Sequence, residues 1–437
     1  MSQLKTHPSS KISGAYTPPG DKSISHRLIM LGALAEGTSQ FTHFLNSDDC
    51  LRTKQAFEAM GVTVSVSRDR LESKNQTTEL TVKGVGLRGL SAPKQDLDLG
   101  NSGTTMRLLL GILAGQPFPA RLTGDKSLCQ RPMRRVTEPL RRMGARINGR
   151  DEANFAPIEI QGGALSGIRW QNELSSAQVK SAILLAGLFA EGETAVEEAI
   201  PSRDHTERLL KVFGVPFRKS GSRVSVRKTE KLHAIHFDVP GDFSSAAFFI
   251  IAALLRPKSD LWIRRVGLNP TRTGLLQVLK SMGADLQFKI TEDHGEPIGD
   301  IHVKTSRLRG VTIDKQLIPS LIDELPILMV ACALADGTSV IRGAEELRIK
   351  ETDRIHSMAI GLNLIGGKAS EREDGCTIEG VPEFQGGTVS SFGDHRTAMS
   401  FLVAGLSSSR GVLVQDTDCI QTSYPNFEAD LKEVAQQ

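Results

Sequence analysis

Val136-Thr137-Glu138-Pro139-Leu140-Arg141-Arg142-Met143-Gly144 sets Val136, Leu140 and Met143 at spacings of four and three and then stops at a glycine. That spacing lays three apolar side chains along one face of a helix, and glycine accepts the left-handed backbone that closes it. The same pattern is written at Thr53, Phe57, Met60 before Gly61; Thr206, Leu210, Phe213 before Gly214; Leu275, Leu279, Met282 before Gly283; and Met358, Leu362, Ile365 before Gly366. A sixth copy, Phe427, Leu431, Val434, has Ala435 in the glycine's place.

The offsets group the copies. Gly61 and Gly144 lie 83 residues apart, as do Gly283 and Gly366, while 222 residues separate Gly61 from Gly283 and Gly144 from Gly366. The chain therefore reads as a duplicated half, each half a triplicated unit. A second signature agrees: Pro19-Gly20-Asp21-Lys22-Ser23 returns 221 residues later as Pro240-Gly241-Asp242-Phe243-Ser244. The expected domains are residues 21–239, and residues 240–437 closed by residues 1–20, with crossings and hinges near 20 and 240. Two like domains facing each other across a ligand cleft are the expected arrangement.

Within a unit, alternating or β-branched stretches such as Val62-Thr63-Val64-Ser65-Val66 follow the amphipathic helix and read as strands. A second helix then follows, in 104–113, 177–189, 245–255, 325–335 and 397–406, apolar nearly all round and so due to be buried. These helices are expected to end in Ala-x-Gly or a near relative, as in Ala35-Glu36-Gly37, Ala190-Glu191-Gly192 and Ala335-Asp336-Gly337, with a strand opening next at Thr or Ser. The fold class expected is α/β with helices inside and sheets outside, the reverse of a doubly wound fold.

The bulk numbers exclude more than they assign. A net charge of +3 in 437 residues is too balanced to argue for nucleic acid or an anionic membrane, so any basic signal must be local. Five scattered cysteines without a CxxC pair read as reduced thiols, with no metal site. Residues 1–11 lack a signal peptide's apolar core, and the apolar runs 182–190 and 248–255 are too short to span a bilayer. A cytoplasmic protein without a membrane role is expected.

Candidate chemistry sits where loops enter helices. Gly20-Asp21-Lys22-Ser23-Ile24-Ser25-His26-Arg27 offers a cationic helix N-terminus, with Arg27 on the face of Ser23. Gly100-Asn101-Ser102-Gly103-Thr104-Thr105-Met106-Arg107 is a glycine-bearing turn able to wrap N–H groups around an anion, though not a Walker loop. Arg131 precedes a helix-starting proline, and Ser175-Ser176-Ala177-Gln178 places hydroxyls at an apolar helix start. Asp323-Glu324 stand ahead of another apolar helix, Arg348-Ile349-Lys350-Glu351-Thr352-Asp353-Arg354 mixes both signs, and Gly393-Asp394-His395-Arg396 turns into a third. Singly, each reads equally well as a cap or a solvated face.

Their order and wording together are specific. GDKSISHR (20–27), GNSGTTMR (100–107), QRPM (130–133), SSAQVKSA (175–182), IDELPIL (322–328), RIKETDR (348–354) and GDHRTAMSF (393–401) resemble the 5-enolpyruvylshikimate-3-phosphate synthase family over essentially the whole chain, and Arg203, Ala177 and Lys350-Glu351 resemble its class II branch. The resemblance implies two domains of three βαβαββ units each, helices inside. It implies transfer of the enolpyruvyl group of phosphoenolpyruvate to the 5-hydroxyl of shikimate 3-phosphate, with phosphate released, in aromatic amino acid biosynthesis. Neither metal nor organic cofactor is implied, and a monomer is expected. Shikimate 3-phosphate would contact Lys22, Ser23, Arg27, Ser176, Ala177, Gln178, Arg203, Asp323 and Lys350; phosphoenolpyruvate would contact Lys22, Gly103, Arg131, Gln178, Arg354 and Arg396. Both substrates are polyanions, which suits converging Lys and Arg. Asp323 is the expected base, Glu351 the acid at the methylene, and Lys22 assists.

Two departures and two rivals accompany this reading. Gln421-Thr422-Ser423-Tyr424-Pro425 lacks a lysine that many family members carry there, and the loop position that is alanine in some glyphosate-tolerant relatives is Gly103. UDP-N-acetylglucosamine enolpyruvyl transferases share the fold but resemble this chain less, since their Lys-Asn start is Lys22-Ser23 here and Cys129 directly precedes Gln130-Arg131. A non-catalytic anion-binding protein would be expected to have lost Asp323 or Glu351, and both are present.

Overall fold

The structure, a computed structural model, describes residues 2–68 and 78–436. Among the described residues, helices of eight residues or more are α1 (Lys22–Leu34), α2 (Asp48–Ala59), α3 (Gly103–Ala114), α4 (Arg134–Met143), α5 (Ala177–Gly187), α6 (His205–Val212), α7 (Phe243–Leu255), α8 (Gly274–Ser281), α9 (Leu325–Ala333), α10 (Arg354–Leu364), α11 (His395–Leu406) and α12 (Phe427–Val434). The even-numbered helices carry the six triplets, every member of which is buried. The five closing glycines have φ of +90° (Gly61), +116° (Gly144), +82° (Gly214), +91° (Gly283) and +96° (Gly366), a region that costs an L-residue about 1–2 kcal/mol. Ala435 departs because its chain leaves extended, at φ −86°, and pairs with Ile12 as a strand.

The chain divides into two compact units, Gly20–Val239 and Met1–Pro19 with Pro240–Gln437. In the Gly20–Val239 unit the odd helices α1, α3 and α5 are buried along nearly their whole length and form one apolar core with the inner faces of the sheets. α3 and α5 touch backbone to backbone: a Cβ added to Gly111 would lie 2.2 Å from the Ala182 carbonyl oxygen. The other unit repeats this with α7, α9 and α11 around its own core. At about 1.5–3 kcal/mol for each large apolar side chain buried, these helices can be stable only inside.

Among the described residues each sheet of three or more strands follows one rule, a parallel pair extended by antiparallel strands. Leu97–Asp98 runs parallel to Pro119–Thr123, which pairs antiparallel with Phe155–Gln161 and that with Arg146–Gly149. Arg169–Gln171, Glu193–Glu197, Arg223–Arg227 and Phe217–Ser220 repeat the order, and so do Thr312–Ile313, Thr338–Ile341, Gly375–Glu379 and Lys368–Arg372. Alternation supplies the inner face, as in Phe155–Gln161, where Ala156, Ile158 and Ile160 are buried. Distant segments complete the first sheet of each unit. His236–Asp238 lies parallel to Ala35–Thr42, and the N-terminal Lys11–Tyr16 lies parallel to Asp260–Gly267. The Tyr16 hydroxyl also meets that of Tyr424, which donates to Asp430 at 2.7 Å, fixing the N-terminal strand to the C-terminal region.

One local expectation is corrected. Ala-x-Gly follows the inner helices and is not part of them: it is already paired at Ala35 and at Ala190–Glu191, and at 335–337 it is the turn before the strand Thr338–Ile341. α1 stops at Leu34 and Ala35–Thr42 is already paired, while Ala190–Glu191 pairs with Leu165–Ser166. The glycines at +103° (Gly37), +89° (Gly192) and +94° (Gly337) make the turn within that segment. Among the described residues no helix is long and apolar enough to cross a membrane.

Candidate active site

Both copies of the Pro-Gly-Asp signature do the same local work. Asp21 caps α1 by accepting from Ile24 N at 2.9 Å, and Asp242 caps α7 by accepting from Ser244 N at 2.8 Å. At the first of these ends Lys22 Nζ lies 2.5 Å from Asp49 Oδ2. Arg27 donates one turn back to Ser23 O (2.9 Å) and sideways to Thr206 Oγ1 (2.7 Å) and Ser181 Oγ (2.8 Å), so α1 is tied to α5 and α6. The neighbouring His26 is wholly buried, with Nδ1 2.7 Å from Thr53 Oγ1. Burial first, then the charges of Lys22 and Arg27, push its pKa well below the usual histidine value.

The glycine-bearing turn gathers the second cationic group. Ser102 caps α3 through Thr105 N at 3.2 Å, which fulfils the simple capping role. Beyond it, a Cβ on Gly103 would stand 3.1 Å from Nη1 of both Arg107 and Arg131. Arg131 donates to Asn101 Oδ1 at 2.5 Å; Arg107 donates to Gln178 Oε1 at 2.5 Å, and Gln178 Nε2 donates to Thr104 Oγ1 at 2.9 Å. Gly103, Arg131 and Gln178 are thus brought together by residues distant in sequence. Arg107, absent from the expected contacts, joins them; its signal was its place one helical turn after Gly103.

Ser176 is the N-cap of α5 without a side-chain cap bond, and Ser175 before it has φ +48°. Asn172 Nδ2 donates to Ser176 O at 3.0 Å and to Glu198 Oε1 at 2.7 Å, joining this turn to the segment that leads to Arg203. Ala177 and Gln178 follow directly as the first residues of α5.

In the second unit the acids and arginines converge. Arg354, 1% exposed, engages Asp394 Oδ2 through Nε (2.8 Å), Asp323 Oδ1 through Nη1 (3.4 Å) and Glu351 Oε2 through Nη2 (2.5 Å). Burial opposes its charge, but Asp394, Glu351 and Asp323 outweigh that and raise its pKa further. The solvated charged face is therefore not what residue 354 adopts. Arg396 donates to the Asp323 carbonyl at 3.0 Å and has Nε 3.8 Å from Asp323 Oδ1. Lys350, half-buried, stands beside Glu351 in the approach to α10.

Two supporting residues were not foreseen. Asp394 accepts from the backbone N–H groups of Arg396 (2.7 Å) and Thr397 (3.1 Å) as well as from Arg354, so it positions both arginines. Arg272 donates to Ser244 Oγ (2.6 Å) and Asp242 Oδ1 (3.1 Å), with Nη1 3.7 Å from both Asp323 Oδ2 and Glu324 Oε1. Asp323 therefore faces guanidinium groups from Arg272, Arg354 and Arg396, which compensate its negative charge. Asp394 was legible as the cap of the Gly393-Asp394-His395-Arg396 turn, whereas nothing local marks Arg272.

Comparison with known proteins places this arrangement. The family model for EPSP synthase (3-phosphoshikimate 1-carboxyvinyltransferase) matches residues 6–431. A 3-phosphoshikimate 1-carboxyvinyltransferase from Pelobacter propionicus is 50% identical over 98% of this chain and 97% of its own. The protein of that name from Geobacter metallireducens is 49% identical over 100% of both. Among solved structures, EPSP synthase from Acinetobacter baumannii superposes with a TM-score of 0.86 at 46% identity, covering 100% of this chain and 99% of that one.

Proposed function

The chain belongs to the EPSP synthase family, and on that premise we propose how its residues divide the reaction. The enzyme transfers the enolpyruvyl group of phosphoenolpyruvate to the 5-hydroxyl of shikimate 3-phosphate and releases phosphate. In the addition, the hydroxyl loses its proton, its oxygen bonds to C2 of phosphoenolpyruvate, and the C2–C3 π electrons take a proton at C3. In the elimination, C3 returns a proton, the double bond re-forms, and the bond from C2 to the phosphate oxygen breaks. One base and one acid are needed, and they exchange roles between the steps.

Asp323 takes the hydroxyl proton and Glu351 serves the methylene, with Lys22 assisting. The observation that carries this assignment is that Asp323 and Glu351, far apart in sequence, are held on one buried guanidinium, that of Arg354. Two carboxylates kept by one cation can exchange proton loads without either being left buried and uncompensated. In the Gly20–Val239 unit, Lys22, Ser23, Arg27, Ser176, Ala177, Gln178 and Arg203 bind shikimate 3-phosphate, and Lys22, Gly103, Arg131 and Gln178 bind phosphoenolpyruvate. In the other unit Asp323 and Lys350 serve the first substrate, and Arg354 and Arg396 the second. Arg354 reaches a ligand by exchanging a carboxylate partner, since each of its nitrogens already has one. The enzyme acts as a monomer in the cytoplasm, a setting that suits its five free thiols.

Phosphate release tests the assignment. Wild-type enzyme should release phosphate from phosphoenolpyruvate with shikimate 3-phosphate and not with UDP-N-acetylglucosamine. Arg131→Ala should raise KM for phosphoenolpyruvate, and Arg203→Ala that for shikimate 3-phosphate, each about tenfold or more for the loss of a charged hydrogen bond. Swapped or absent KM effects would reject the contact assignment.

A further inference from the structure

Behind the turn that carries Ser176 and the turn that carries Arg203 lies a buried ionic cluster that the reaction does not use. Lys180, at the end of the first turn of α5 and 2% exposed, donates to Glu198 Oε2 (3.0 Å), Glu207 Oε1 (2.9 Å) and Ser202 O (3.2 Å), filling the three donor positions of its ammonium group. Glu198, 4% exposed, is saturated as well. Its Oε2 also accepts from Ser202 N (2.9 Å), and its Oε1 accepts from Ser202 Oγ (2.6 Å) and Asn172 Nδ2 (2.7 Å). Through Asn172 the same carboxylate reaches Ser176 O, and through Ser202 it fixes the residue directly before Arg203.

Glu207 is differently placed. It meets Lys180 through one oxygen, and its other oxygen is buried without a hydrogen-bond partner. Burial pushes the Glu207 carboxyl up, with Lys180 offsetting only part. For Lys180 burial works downward, but the facing Glu207 and Glu198 outweigh it and raise its pKa. The charged pair that organises backbone is therefore Lys180 with Glu198, while Glu207 fills the remaining side.

We infer that Glu198, held by Lys180, is a positioning residue for shikimate 3-phosphate, fixing the turn at Ser176 and Arg203 relative to each other before the ligand arrives. The inference rests on the assignment of those residues to that substrate. A buried carboxylate with four donors from three segments has one geometry, and preorganising both turns saves the ligand the cost of ordering them. The cluster's bonds end at Ser176 and at Ser202 beside Arg203, whereas Gln178, which serves both substrates, is held by Arg107 and Thr104, so the effect falls on shikimate 3-phosphate.

Steady-state kinetics with both substrates varied, and calorimetric titration with shikimate 3-phosphate alone, test this in Glu198→Gln, Asn172→Ala, Glu207→Gln and Arg203→Ala. Asn172→Ala cuts the link to Ser176 while leaving the Lys180–Glu198 pair, so it carries the test if Glu198→Gln does not fold. The expected result is a rise of about tenfold or more in KM and Kd for shikimate 3-phosphate in Glu198→Gln and Asn172→Ala. KM for phosphoenolpyruvate and kcat should stay within about threefold, and Glu207→Gln should behave as wild type. If Arg203→Ala weakens shikimate 3-phosphate while Glu198→Gln and Asn172→Ala do not, the positioning role is wrong and the contact assignment stands. Equal effects on both substrates, or equal effects of Glu198→Gln and Glu207→Gln, would mean general loosening and overturn it. If Arg203→Ala has no effect, the contact assignment fails and the inference falls with it.

Discussion

Arg354 and Asp323 meet through Nη1 and Oδ1 at 3.4 Å, although Asp323 precedes the apolar helix α9 and Arg354 begins α10. The contact joins a residue assigned to substrate charge with one assigned to proton transfer. Because Arg354 also holds Glu351 and Asp394, the proposed acid, the proposed base and the cap of α11 share one buried cation. Such a group is costly to desolvate and is retained only where its partners are in place.

Arg354→Met should therefore leave fully buried Asp394 without its main cation and lower unfolding free energy by about 3–5 kcal/mol, read from urea denaturation. Arg354→Lys keeps the charge but cannot hold three carboxylates at fixed angles. It should cost less stability than Arg354→Met while still lowering kcat.

Gly103→Ala places a methyl group 3.1 Å from Nη1 of Arg107 and of Arg131. Both contacts are ends of long side chains, so the fold should survive and the guanidinium groups should shift. KM for phosphoenolpyruvate should rise about tenfold, the loss of one charge-assisted hydrogen bond, with KM for shikimate 3-phosphate nearly unchanged.

His26 should make stability fall on acidification. Its folded pKa lies below the ordinary 6.5, so below about pH 6.5 the unfolded chain binds the extra proton and the native state does not. Stability from this group is present above that value and is lost as pH falls toward the folded pKa, at no more than about 1.4 kcal/mol per pH unit. His26→Gln should flatten the difference in unfolding free energy between pH 7 and pH 5, by at most about 2 kcal/mol; an identical profile would reject the linkage.

Gly283→Ala meets no close atom, its nearest neighbour being Arg307 O at 3.8 Å, yet its φ of +91° disfavours an L-residue. A loss of about 1–2 kcal/mol with unchanged kcat is expected in denaturation and assay. Ala435→Gly, where the backbone is extended, should gain nothing.

Periodicity made the fold legible because a helix that must bury one face, and a chain that must reverse after it, leave few choices at Val136, Leu140, Met143 and Gly144. The inner helices were legible for the same reason: α7, from Phe243 to Leu255, has no polar face to show water. Strand partners were less so, since Lys11–Tyr16 pairs with Asp260–Gly267 across most of the chain and no local pattern encodes that. At the site, motifs marked Asp323, Glu351 and Arg354, but not that the three meet. Arg272, Lys180 and Glu198 escaped because a buried charge is written in sequence like a solvated one, and only its partners distinguish them.

The central claim is that Asp323 moves the proton of the attacking hydroxyl. It is tested most directly by the turnover of Asp323→Ala, measured as phosphate release at saturating shikimate 3-phosphate and phosphoenolpyruvate. A fall in kcat of about a hundredfold to ten-thousandfold is the predicted result, with KM for phosphoenolpyruvate within about threefold of wild type and KM for shikimate 3-phosphate raised no more than about tenfold by the lost contact. Unchanged kcat would remove Asp323 from the mechanism.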